Sequence, residues 1–218
     1  KEVDMALNRI FETQSKSFGQ DDVVGYLKSG MQLDGRPIAL ENWRVTSGDP
    51  DVLKAIASSY GGEVESWETT TEHDQQVLTE VGSLEVELIS VQSNFALWGR
   101  SGNKPIRICD GITQNDEKKT PCACPHDTRE HKEEARAGTA CSPSIRALVR
   151  LKDHSGLGMF RYVSGSWQLA EAIGPIEEAV GASDDPLDAT ISLVKVEWET
   201  KTGQKRVFTK PVIKLADG

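Results

Sequence analysis

The 218-residue sequence has no long apolar run, and none approaches the roughly 18 residues that a membrane-spanning helix requires. No basic segment followed by an apolar one marks a signal peptide in the residues given. The 9 prolines and 19 glycines are too few for a collagen-like or disordered chain. These absences exclude membrane-spanning and fibrous proteins, and they predict a soluble globular protein of one or two domains.

Positive charge is also scarce: 25 Lys and Arg residues face 34 Asp and Glu residues, for a formal charge of −9. Residues 1–100 carry net −9 and residues 153–218 net −3, whereas residues 101–152 carry net +3. Proteins that bind DNA unaided present a basic face that neutralises several phosphates. If this protein acts near DNA, we therefore expect it to act through another protein. Plain solubility explains the acidity equally well.

Motifs of catalysis and phosphate binding are absent as well. The sequence contains no G-x-S-x-G elbow, Walker loop, G-x-G-x-x-G turn or H-E-x-x-H helix, and no H-x-E paired with C-x-x-C. Asp21-Asp22 and Asp184-Asp185 are adjacent carboxylates, but neighbouring side chains on a strand point apart. We therefore predict that the protein has no catalytic residues and is not an enzyme.

Periodicity predicts a mixture of helix and strand. Asp49-Pro50 is a typical helix start, apolar residues follow at helical spacing, and Gly61-Gly62 ends the helix. Alternating apolar and polar residues, with a turn over residues 200–204, predict four strands: Leu84–Leu88, Ile145–Leu151, Val194–Trp198 and Val207–Leu215. Pro211 places the last strand at a sheet edge, because proline cannot donate to a neighbouring strand.

A short internal echo suggests two similar halves. Arg44–Gly48 precedes the first helix, and the similar Arg161–Gly165 precedes a second, which we expect to break at Gly174-Pro175. Chance similarity of two ordinary strand–helix junctions stays open. The prediction is an α+β fold: an N-terminal α/β lobe over residues 1–104, a Cys-rich zinc knuckle over residues 105–143, and a C-terminal α/β lobe with a terminal hairpin over residues 144–218.

All four cysteines lie in the middle segment, in the pattern C-x12-C-x-C-x16-C: Cys109, Cys122, Cys124 and Cys141. Turn residues flank them, so they lie in loops. Four thiolates close the tetrahedral shell of a structural zinc ion, which would stabilise a long loop that has no core of its own. Disulfides and free thiols are the alternatives, and either His126 or His131 could replace a cysteine ligand.

Three blocks of the sequence resemble one protein family. They are Ala6–Glu12; the cysteine block, with Cys109-Asp110-Gly111, Pro121–Pro125 and Cys141-Ser142-Pro143; and the strand Leu148–Leu151 with the turn Gly158–Ser166. Together they look like the recombination directionality factors that actinophages use with large serine integrases.

The resemblance implies a regulatory binding protein in the bacterial host cytoplasm, with no catalytic role. Such factors bind an integrase on attachment-site DNA, contacting the DNA mainly through the integrase. They activate attL × attR excision and inhibit attP × attB integration by biasing the integrase coiled coil. A zinc-stapled phage protein that binds nucleic acid directly is the alternative. We expect an apolar patch rimmed with charge as the contact surface. Phe95, Leu97 and Trp98 are candidates for that patch, but a core position is favoured for them.

Overall fold

The computed structural model describes residues 23–33, 35–99, 104–199 and 203–216. The strands in these ranges are β1 (Val23–Leu33), β2 (Arg36–Ser47), β3 (Val64–Ser66), β4 (Gln75–Leu78), β5 (Ser83–Trp98), β6 (Pro105–Cys109), β7 (Ser142–Leu151), β8 (Met159–Ser164), β9 (Leu187–Glu199) and β10 (Lys205–Leu215). The α-helices are α1 (Pro50–Tyr60), α2 (Thr128–Ala137), α3 (Trp167–Ala172) and α4 (Gly174–Ala182), and a 3-10 helix covers Lys152–Leu157. The Ala6–Glu12 block lies outside the described residues.

The two strand–helix junctions that echo each other are built alike. Asp49 caps α1 by accepting a hydrogen bond from the Asp51 amide (2.8 Å), and Ser166 caps α3 by accepting from the Leu169 amide (3.3 Å). Each capping residue also donates its own amide proton to a serine hydroxyl two residues earlier. The expected break at Gly174-Pro175 is confirmed, because α3 ends at Ala172 and α4 starts at Gly174.

One sheet contains all ten strands, in the order β10-β9-β5-β7-β8-β1-β2-β4-β3 with β6 paired to β5. The pairings are antiparallel except between β1 and β8, which run parallel. The edge position predicted for the strand that contains Pro211 is confirmed, since β10 ends the order. The two echoing strands, β2 and β8, lie on either side of β1.

The α+β class is confirmed, but the expected arrangement in two lobes is not. Strands from both halves of the chain alternate in the same sheet, because β1 of the first half pairs with β8 of the second, and β5 pairs with β7 and β9. Side chains at their junction also share a core: Trp43 on β2 meets Tyr162 on β8 edge to face, with ring centroids 5.1 Å apart. The sequence echo therefore marks two local motifs within one sheet.

The sheet curls into a half-barrel. Five strand spacings separate β2 from β9 along the sheet, which would place them about 24 Å apart if it were flat. Instead the Lys195 ammonium on β9 lies 3.3 Å from the Glu41 carboxylate on β2. The curl encloses the main core, to which α1 contributes Leu53 and Ile56 and the α3–α4 junction contributes Ile173. In the described ranges no helix has the length and apolar character needed to cross a membrane.

Candidate metal centre

Four cysteine side chains from three separate parts of the chain meet beside the C-terminal end of β5. Cys109 ends β6, Cys122 and Cys124 lie in the following loop, and Cys141 directly precedes β7. All four are buried, and their sulfur atoms lie within 4.8 Å of one another. The sequence prediction placed these residues together, and the structure brings all four of them into one cluster.

The loop that carries Cys122 and Cys124 folds back on β6 through local hydrogen bonds. The Asp110 carboxylate accepts hydrogen bonds from the Ile112 amide (2.8 Å) and from the Thr113 amide (2.7 Å), which tightens the first turn. The Cys122 amide then donates to the Ile112 carbonyl at 2.7 Å. Backbone bonding therefore fixes this cysteine pair opposite Cys109.

The fourth cysteine is positioned by α2. Asp127 caps the start of this helix by accepting from the Glu130 amide at 2.8 Å, and Gly138 ends it in the left-handed region with φ of 76°. The chain then turns so that the Cys141 amide donates to the Cys124 sulfur at 3.3 Å. The mixed-charge run of residues 129–136 thus forms most of α2, and this helix places the last cysteine of the cluster.

The geometry suits a tetrahedral thiolate site. In such a site with metal–sulfur distances of about 2.3 Å, neighbouring sulfur atoms lie about 3.8 Å apart. The observed Cys122–Cys124 sulfur separation is 3.4 Å, and all other separations stay below 4.8 Å. None of the four is in a disulfide, so each thiol is available as a ligand. The four cysteines could therefore hold one metal ion.

The electrostatics of the cluster favour a cation. Hydrogen bonds from Cys109 and then Cys141 hold the pKa of Cys124 well below its usual range, whereas hydrogen bonds to Cys124 and Cys141, together with burial, raise the pKa of Cys109. The pKa values of neighbouring thiols therefore shift in opposite directions, because the buried sulfurs share hydrogen bonds. A divalent cation would stabilise the deprotonated form of all four.

Arg107 adds a permanent positive charge beside the sulfurs. Its Nε donates to the Cys141 sulfur at 3.3 Å, and one terminal nitrogen lies 3.7 Å from the Cys124 sulfur and donates to the Thr139 carbonyl at 3.3 Å. Four thiolates around a divalent ion carry net −2, so this guanidinium offsets part of that charge. Arg107 was not singled out from the sequence, although its i, i+2 spacing from Cys109 on a strand places both side chains on one face.

The rings of Phe95, His131 and Trp167 pack together beside the cysteine cluster. The buried His131 hydrogen-bonds through Nε2 with the Cys141 carbonyl (2.8 Å), and its ring centroid lies 5.0 Å from those of both Phe95 and Trp167. His126 is exposed, and neither histidine belongs to the group of potential ligands in the described residues. Phe95 is fully buried here, as its favoured core position predicted, whereas Trp98 is 45 % exposed.

The donor set is that of a structural metal site. With an ion bound, the four cysteines would fill a tetrahedral shell and would leave no position for water or substrate, unlike catalytic zinc sites, which keep one position open. Besides the cysteines, Phe95 and Ala140 are the buried apolar residues of this cluster, and Leu97, Ala135 and Trp167 pack against it partly buried, so its apolar core is small. A bound ion would therefore act by holding β6, the loop and β7 together.

Comparison with known proteins identifies the family. No solved structure matches this chain. A protein family described as Gp3-like, recombination directionality factor-like, matches residues 24–216, which cover every described strand and helix apart from the first residue of β1. The match includes the four cysteines and both echoing junctions. The chain therefore belongs to the Gp3-like family of recombination directionality factor-like proteins.

Proposed function

We propose that this protein is a recombination directionality factor for a large serine integrase of a phage and acts in the cytoplasm of the bacterial host. It binds the integrase on attachment-site DNA, activates attL × attR excision and inhibits attP × attB integration. The family match over residues 24–216 is the observation that carries this proposal. The factor contributes no reactive group, and its effect comes from binding one integrase conformation more tightly than another.

The physical requirement for this role is modest. A partner that binds one of two coiled-coil arrangements better shifts their populations by its differential affinity alone. A difference of about 2.7 kcal/mol changes the ratio about a hundredfold. The net charge of −9 supports a route through the protein partner, because it opposes independent binding to a DNA duplex.

The β9–β10 ribbon supplies a candidate contact surface for the integrase. β9 pairs with β5 only from Leu187 to Ser192, so the remainder of β9 and its β10 partners extend beyond that pairing as a two-stranded ribbon. On one face, Val194, Trp198 and Phe208 are between 36 and 51 % exposed. The register places these side chains on the same side, since Phe208 faces Val196 across the ribbon.

A charged residue borders this apolar face, because Lys210 on β10 pairs with Val194 and lies on the same side. Lys195, Glu197 and Glu199 alternate with the apolar residues along β9 and therefore lie on the opposite face. An apolar patch with charge at its border is the arrangement expected for a surface that binds an amphipathic helix. We assign this face to the integrase.

The cysteine centre enters the proposal as a structural zinc site. Cys109, Cys122, Cys124 and Cys141 would hold the ion, and thiolate ligands in a tetrahedral set are typical of zinc. When bound, zinc would supply folding energy to the segment between β6 and β7 and no chemistry to recombination.

A recombination assay with purified components tests the proposal. Integrase alone should recombine attP × attB, and addition of this protein should suppress that reaction and start attL × attR recombination. If the integrase still recombines attP × attB and not attL × attR after this protein is added, although both proteins are folded, the proposed function is refuted.

A gel shift separates the proposal from direct nucleic-acid binding. We expect no shift of attachment-site DNA by this protein alone and a further shift when it is added to the integrase–DNA complex. A shift by the protein alone at physiological salt would favour the alternative of a zinc-stapled nucleic-acid-binding protein.

A further inference from the structure

A basic and aromatic cleft lies at the end of the sheet formed by β1, β2, β4 and β3, whereas the cysteine centre lies beside β5, β6 and β7. It is formed by Lys28 on β1, Arg44 on β2, Gln76 on β4 and Trp67, which follows β3. A cavity of about 610 Å³ opens here, and a second of about 560 Å³ shares Lys28 and Trp67 as its wall. None of these residues takes part in the metal centre or the ribbon face.

Trp67 is the fixed centre of the cleft. Its indole nitrogen donates to the His73 carbonyl at 2.7 Å, and its backbone amide donates to the Asp74 carbonyl at 2.9 Å. The Arg44 guanidinium lies 4.4 Å from the indole centroid and the Lys28 ammonium lies 4.9 Å from it. Contact with an aromatic face stabilises a cation but leaves its hydrogen-bond donors free for another partner.

Both cations lack a compensating carboxylate among the described residues. Arg44 is only 6 % exposed, and its one hydrogen bond there runs from Nε to the Gln76 side chain at 2.6 Å. Burial, and then the charge of Arg44, lower the pKa of Lys28. Glu68 lines the first cavity and Glu72 the second, but both side chains are exposed, and no ion pair among the described residues joins either of them to Lys28 or Arg44.

Two desolvated like charges side by side cost free energy unless a ligand compensates for them. Such an uncompensated pair is a site for an anion, and the net charge of −9 limits the number of negative charges that this anion can carry. The cavity wall also includes Met31, Pro37 and Ile38, which offer apolar contact beside the cations. We propose that this cleft binds an otherwise apolar peptide segment of a partner protein through one carboxylate, which lies between Lys28 and Arg44 while a neighbouring apolar side chain contacts Met31 and Ile38.

Surrounding charge favours a peptide carboxylate over nucleic acid. Glu65 on β3 accepts a hydrogen bond from the Gln76 side chain at 3.5 Å, Glu68 and Glu72 in the following connection line the two cavities, and residues 1–100 carry net −9. A duplex that brought many phosphates to this surface would be repelled, whereas one carboxylate on an otherwise apolar peptide meets mainly the two cations. This inference stands apart from the integrase assignment of the ribbon face.

A titration followed by NMR tests the cleft directly. The probe is the blocked tripeptide acetyl-Leu-Glu-Leu-amide, and the signal is the indole N–H resonance of Trp67, identified by its loss in Trp67→Phe. We expect a saturable shift of this resonance and none with acetyl-Leu-Gln-Leu-amide. Lys28→Gln should weaken probe binding about tenfold, because it removes one charge-assisted hydrogen bond.

Lys54→Gln is the matched control, since it removes the same charge from an exposed lysine of α1 and should leave probe affinity unchanged. Equal shifts with the two peptides, no shift with either, or loss of affinity in Lys54→Gln would overturn the proposal. Tighter binding of a ten-nucleotide oligothymidylate at the same resonance would also overturn it, in favour of a nucleic-acid site. Because integrase is absent from this experiment, its failure leaves the recombination assay as an independent test.

Discussion

Removal of the metal should unfold the segment between β6 and β7 while the rest of the sheet stays folded. Apolar packing at the cysteine cluster comes mainly from the buried Phe95, which contributes about 1.5–3 kcal/mol, and to a smaller extent from the partly buried Leu97 and Trp167. Binding of zinc to four thiolates contributes about 10 kcal/mol or more. Because zinc binding contributes more free energy than apolar burial does, residues 109–141 depend on the ion for their folded structure. The main core around Trp43 and Leu53 shares none of these contacts.

Hydrogen exchange with mass spectrometry measures this difference. The purified protein should contain one zinc ion per chain. After the ion is stripped with a strong chelator, amides of α2 and the Cys122–Cys124 loop should lose at least about a hundredfold in protection, equivalent to about 2.7 kcal/mol. Amides of α1 and β8 should retain theirs, because these elements pack in the main core.

Two variants separate the metal from local packing. Cys124→Ser should lose zinc and show the same local loss of protection without a chelator. Ala140→Ser adds a hydroxyl at a neighbouring buried position and should retain the metal. If protection of residues 109–141 survives after zinc has been removed, or if the protein purified with zinc present contains none, the reasoning is refuted.

Three further predictions concern other residues. Arg107→Ala should weaken zinc affinity about 10- to 100-fold in chelator competition, whereas Arg146→Ala, which removes an exposed arginine of β7, should not change it. Trp198→Ser should weaken integrase binding and leave the Tm unchanged. Val207→Ser changes a residue of similar exposure on the opposite ribbon face and should leave both integrase binding and the Tm unchanged; equal effects of the two variants on integrase binding would contradict the assignment of the Trp198 face. Burial raises the pKa of Glu177, so the contribution of this carboxyl to stability is fully present below its ordinary pKa of about 4.5 and is lost as the pH rises through the raised value of the folded state. Denaturant titrations should show a smaller fall of the free energy of unfolding over this pH range in Glu177→Gln, and an identical pH profile would count against this mechanism.

Local features of the fold were predictable because their causes lie within a few residues. Asp49-Pro50 and Gly61 set the limits of α1, since capping and the left-handed turn are local effects. The edge position of β10 followed from Pro211, whose missing donor excludes a central strand. The cysteine cluster followed from residue type, because several thiols concentrated in a turn-rich segment are typical of a structural metal site.

The arrangement of the strands was not predictable in the same way. The echo between the β2–α1 and β8–α3 junctions suggested two lobes, yet these strands lie on either side of β1 in a single sheet. Pairing between β1 and β8 joins residues more than 130 positions apart, as Tyr26 and Arg161 show. No periodicity in the sequence records such a pairing, because its free energy comes from a shared core that forms only when both halves are present.

The sequence by itself therefore determined the local elements, the four candidate metal ligands and the acidic character that favours a protein partner. Only the tertiary structure decided which distant side chains share an environment. It brought Arg107 to the sulfurs, placed Lys28 and Arg44 on one indole, and left the apolar side chains of the β9–β10 ribbon exposed. The physical reason is range: capping, turn and ligand preferences act over a few residues, whereas burial and charge compensation depend on neighbours that the folded sheet supplies.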